Sequence, residues 1–154
     1  MRRRRFPPRI TVAGMALAAA LQTMVIPMAQ AQTIHTPARG SAQREALLAT
    51  ARAPLEAELG KPVRFLVDAL NVSGDWAFLL ARMRDAHDQP FDYAGTPYAD
   101  AAARGGQSQV YAALLRRDGD RWLLLHHATG PTDPAWLGWT DAGAPEALFA
   151  IPGD

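Results

Sequence analysis

Cysteine is absent from all 154 residues. No disulfide can staple the fold, and thiol catalysis, thiolate metal sites and dithiol redox chemistry are excluded with it. Serine is scarce beyond residue 31, limited to Ser41, Ser73 and Ser108. Their surroundings read as a helix cap, a turn and a loop; none is a glycine-flanked nucleophile elbow. A triad drawn from Ser108, His127 and Asp133 has no support in the spacing. Basic residues are also thin. Past residue 31 there are eleven Lys and Arg against fifteen Asp and Glu, a net charge of −4. Arg116, Arg117 and Arg121 form the one local basic group and read as solvated strand ends. Without clustered cations to neutralise phosphates, nucleic acid and anionic membrane surfaces are poor partners.

A clean transmembrane run is missing too. Residues 10–28 approach the roughly 20 apolar residues that span a bilayer, but they are Ala-rich and broken by Gln22, Thr23 and Pro27. What stands there instead is ordered like a leader. Arg2, Arg3, Arg4, Arg5 and Arg9 come first, then an apolar core over 12–21, then Ala29-Gln30-Ala31. That order predicts a cleaved signal peptide over 1–31 and a periplasmic or secreted protein. The competing reading is an uncleaved anchor, against which the small-residue triplet speaks. Arg3-Arg4-Arg5-Phe6 also fits a twin-arginine pattern loosely, though Sec export is the simpler expectation. No Cys follows the apolar core, so lipid-anchored maturation is excluded.

The rest suits a single domain, 41–154, preceded by a flexible tether over 32–40. A chain of that length buries about two-thirds of its unfolded surface, enough for a core without staples. Ser41 can cap a helix in which Leu47, Ala51, Leu55 and Leu59 form one apolar stripe, ended by Gly60 and Pro62. Pro54 interrupts it, predicting a kink or two consecutive pieces. Residues 63–72 and 76–84 read as a hairpin across Ser73-Gly74-Asp75. Residues 110–117 and 121–129 read as a second, turning at Asp118-Gly119 in a type I′ turn. Three consecutive leucines, Leu123, Leu124 and Leu125, suggest a central strand covered on both faces. The 24-residue connection between the hairpins, 85–108, is long enough to be functional. Thr96 and Pro97 can open a short helix over 98–104 within it, and Thr132 or Asp133 can cap another from Pro134.

Few residues qualify as a site. Asp85, His87, Asp88 and Asp92 in the connection are the weak catalytic candidates, able in principle to work as acid and base. Their spacing lacks the alternating ligands and central glycine of a calcium loop. His126-His127 point to opposite faces of a strand, so the two cannot share one ion, and no metal or cofactor is expected. Tyr93, Tyr98, Trp136 and Trp139, with Asp133, form the candidate binding set, because Tyr and Trp join apolar area to a polar tip. Trp76 and Trp122 read as core.

Three stretches taken together carry a resemblance: 72–78 (V-S-G-D-W-A-F), 113–117 leading to Trp122, and Gly130-Pro131-Thr132-Asp133 with Trp136 and Trp139. The chain resembles a family of small exported, largely uncharacterised bacterial proteins over about 44–149. The layout is also similar to cystatin-like and NTF2-like domains, which implies a helix cradled by a sheet and no particular chemistry. The fold expected is α+β: a kinked N-terminal helix on a four-stranded antiparallel sheet of two hairpins, with short C-terminal helices. The function expected is an exported, non-enzymatic domain binding a protein or cell-envelope component. The runner-up is a small periplasmic hydrolase or lyase using a loop aspartate and a histidine; a structural envelope protein without a ligand is third.

Overall fold

The structure is a computed structural model and describes residues 33–152. Helix α1 spans Ala42–Leu59, with Ser41 Oγ accepting from the Arg44 N–H at 3.2 Å and the Gly60 N–H closing on the Glu56 carbonyl. It buries the stripe read from the sequence: Leu47, Ala51, Leu55 and Leu59. The helix is one element through Pro54, not two pieces. Pro54 is exposed, so the Thr50 carbonyl it cannot serve lies on a face that water reaches.

Four strands follow: β1 (Arg64–Ser73), β2 (Trp76–Arg84), β3 (Val110–Asp118) and β4 (Arg121–Thr129). They form an antiparallel meander in the order β1-β2-β3-β4. Both hairpins turn on two-residue loops of identical sequence. Ser73 pairs with Trp76 and Asp118 with Arg121, leaving Gly74-Asp75 and Gly119-Asp120 as the loops. In each, glycine takes a positive φ, 56° and 59°, at the first central position, while the aspartate does not. That is the type II′ arrangement, so the expected I′ turn at Asp118-Gly119 is corrected by one residue.

The sheet is covered on both faces by different layers. On the helix face Leu70, Leu79, Tyr111, Ala113 and Leu115 pack with the α1 stripe. On the outer face Ala69, Phe78, Leu80, Ala112 and Leu114 pack under two 3-10 helices, Ala135–Ala142 and Glu146–Phe149. Phe78 anchors that side, its ring 5.0 Å from Phe149 and 6.2 Å from Trp136. Asn71 ties the end of the cover down, donating from Nδ2 to the carbonyls of Leu148 (2.9 Å) and Ala150 (2.7 Å). The strands buried on both sides are the inner pair, β2 and β3, where residues 77–81 and 111–115 are all buried. The three leucines lie instead on the edge strand β4, with Leu123 and Leu125 each 42% exposed. A run of leucines signals two-sided contact, but a bulge at Leu125 spoils the alternation that would have identified an edge.

Two other expectations change. The supposed tether is held from His35 onward, whose N–H and carbonyl exchange hydrogen bonds of 3.0 and 2.8 Å with Val72. The first 3-10 helix carries no side-chain cap from Thr132 or Asp133. The connection contains the short helix α2 (Ala99–Ala103), entered through a turn in which Thr96 Oγ1 accepts from the Tyr98 N–H. The leader proposed for 1–31 lies outside the described residues.

Candidate functional site

The carboxylates of the connection build turns. Asp85 Oδ1 accepts from the N–H groups of His87 (2.8 Å) and Gln89 (2.9 Å). The bond from Gln89 is the main cause holding this carboxyl below its ordinary pKa. Asp92 Oδ1 accepts from the Ala94 N–H at 2.9 Å, and Asp88 sits exposed at φ 67°. His87 is exposed beside them. Such Asx turns are what Asp does in tight loops, and they spend the oxygens on backbone. No three metal-capable side chains converge among the described residues.

The binding set is split by the sheet. Tyr93 and Tyr98 belong to the helix face, whereas Trp136 and Trp139 belong to the outer face. Tyr93 is 5% exposed, with its hydroxyl donating to the Ser108 carbonyl at 2.6 Å. Trp136 is buried on Phe78, so it supports the cover and offers no surface. Trp139 stacks on His126 at 5.9 Å, and Asp133 is exposed at the start of the cover.

One polar cluster was not legible from the sequence. The Glu58 carboxylate accepts from the Tyr98 hydroxyl and lies 3.7 Å from His127 Nε2. Its hydrogen bond to Glu58, more than burial, pushes the Tyr98 phenol up to about 12. Burial raises Tyr93 and Tyr111 further, and Tyr111 donates to the Ala51 carbonyl at 3.0 Å. His126 and His127 do point to opposite faces: His126 pairs with Leu114 and His127 with Ala113. Each thereby ties β4 to a different layer. Glu58 gave one faint signal, lying three residues past Leu55 on the flank of the apolar stripe.

A large concavity among the described residues is on the outer side of the cover, between the two 3-10 helices. It is an open groove of about 980 Å³, lined by residues that include Leu137, Thr140, Ala144, Glu146, Ala147 and Phe149. Leu137 is 63% exposed, the most exposed of the large apolar side chains among the described residues. In a 3-10 helix side chains three residues apart eclipse one another. Trp136 and Trp139 share the inward side, and Leu137 between them turns out.

Comparison with family models, with curated proteins and with solved structures finds no match. Among the described residues no helix is long and apolar enough to cross a membrane.

Proposed function

We propose that this chain is an exported, non-enzymatic domain that binds a protein or cell-envelope component through the groove between its two 3-10 helices. One observation carries the reading: a large apolar side chain, Leu137, stands uncovered in the lining of this groove. The groove it joins is lined mainly by apolar side chains with a few polar groups, the composition of a binding cleft. The leader-like opening and the resemblance to small exported proteins support the setting. The hydrolase or lyase reading has less to stand on. Asp85 and Asp92 are engaged in turns, Asp88 is exposed, and the Glu58 carboxylate is engaged by Tyr98 and His127.

The test is reversible crosslinking in the producing cell, comparing the full chain with its Leu137→Asp variant. A discrete adduct formed by the parent and lost in the variant is the expected result. An adduct pattern indifferent to Leu137→Asp removes the groove from the account.

A further inference from the structure

We infer that the groove takes a cationic peptide segment anchored by one large apolar side chain. This rests on the docking role proposed above and adds the chemistry of the partner. The lining is two-part: Leu137, Ala144, Ala147 and Phe149 are apolar, and Glu146 supplies a carboxylate. No Lys or Arg lines it. The sequence around it is as one-sided. From Trp122 to the end the chain has four acids, Asp133, Asp141, Glu146 and Asp154, and no Lys or Arg.

The three described acids of this stretch are also uncommitted. Ion pairs engage Asp68, Asp75 and Glu58 elsewhere, while the carboxylates of Asp133, Asp141 and Glu146 have no partner among the described residues. Asp141 directly follows the lining residue Thr140 and is exposed, as is Glu146. A basic segment meets this field with opposite charge, which favours encounter and register.

The same charges weigh against other occupants. A second copy docked groove to groove would bring two acidic surfaces together, with no Lys or Arg lining either. An anionic bilayer would be repelled for the same reason. A purely apolar ligand would leave the carboxylates unused. The anchor fills the space beside Leu137 and Phe149, and the flanking Lys or Arg side chains reach Glu146 and Asp141.

The experiment uses the full chain and a fluorescent, end-blocked peptide of alternating Lys and Leu. Controls are the Glu/Leu peptide, the Lys/Ser peptide and neutral lipid vesicles. Only the Lys/Leu peptide is expected to bind. Leu137→Asp should weaken it about tenfold, the scale of losing one apolar contact. Glu146→Lys should weaken it several-fold and flatten its salt dependence. Asp100→Lys, an exposed change on α2 away from the cover, should leave binding as it was. Equal binding of the Glu/Leu peptide, capture by vesicles instead of peptide, or Lys/Leu binding that ignores Leu137→Asp each overturns the inference. If cellular adducts still depend on Leu137 while the peptides fail to discriminate, the docking role stands and the cationic partner falls. If the cellular adducts fail as well, both fall together.

Discussion

Replacing Gly130 by Ala tests the joint between the sheet and its C-terminal cover. Gly130 follows β4 at φ 62°. A β-carbon there would collide with Gln107 Oε1 and the Tyr93 hydroxyl and lie 3.0 Å from the Ser108 carbonyl. Gln107 can swing its amide aside, but the other two neighbours cannot easily give. Tyr93 is buried with its hydroxyl bonded, and Ser108 is held by its N–H to the Gly130 carbonyl (2.9 Å) and its hydroxyl to the Pro131 carbonyl (2.5 Å). The left-handed backbone costs about 1–2 kcal/mol for a residue with a β-carbon. Overpacking adds about 1–3 kcal/mol. A total of about 2–5 kcal/mol should lower the melting temperature by roughly 8–20 °C in a domain of this size. Gly60→Ala is the matched control, because Gly60 has nearly the same φ, 66°, with nothing near its β-carbon position. It should lose about 1–2 kcal/mol, from the backbone alone. Thermal melts of both variants followed by circular dichroism give the difference. Gly130→Ala melting within experimental error of Gly60→Ala would refute the close approach of the connection to the end of β4.

Other perturbations probe each layer separately. Asn71→Ala removes both bonds to the cover and leaves two carbonyls short of a donor; about 2–3 kcal/mol should be lost, with amide exchange accelerating at Leu148 before α1 responds. Trp136→Ala, opening a hole against Phe78, should cost about 3–5 kcal/mol, whereas Leu137→Asp should change stability by no more than about 0.5 kcal/mol; chemical denaturation distinguishes the neighbours. Tyr98, whose ordinary pKa of 10.0 is raised to about 12, holds its proton more tightly folded than unfolded. Its contribution is therefore complete below pH 10 and is lost as the pH climbs through 12. Ultraviolet titration should find the native tyrosines largely protonated at about pH 11 and the unfolded ones ionised; native ionisation near 10 would contradict the Glu58 contact.

Fold class was legible because its signals are local. Ser41, the four-residue apolar spacing and Gly60 each satisfy α1 on their own terms, and a Gly-Asp pair suffices to reverse a strand. Strand position was less so. Residues 110–115 contain two alanines and gave no sign of being an inner strand, while Leu123, Leu124 and Leu125 looked more central than β4 is. Burial depends on what lies across the sheet, and for β3 those neighbours come from α1 and from the cover, about 60 residues before it and 30 after. The binding set failed for a related reason. Tyr93 and Trp139 both look like interface residues in sequence, yet the connection carries Tyr93 to the helix face and the cover carries Trp139 to the outer one. Leu137 was passed over although any helical count turns it away from Trp136 and Trp139, because the sequence does not show which face of that helix the sheet covers.

The central claim, that the outer cover is the working surface, is tested most directly by a photo-crosslinking scan in producing cells. A photoreactive amino acid is placed in turn at Leu137 and Glu146 on the cover and at Asp92 and Ala103 on the opposite side. Adducts at 137 and 146 with none at 92 and 103 are what the account requires. Adducts confined to 92 and 103 would move the functional surface to the helix side and contradict it.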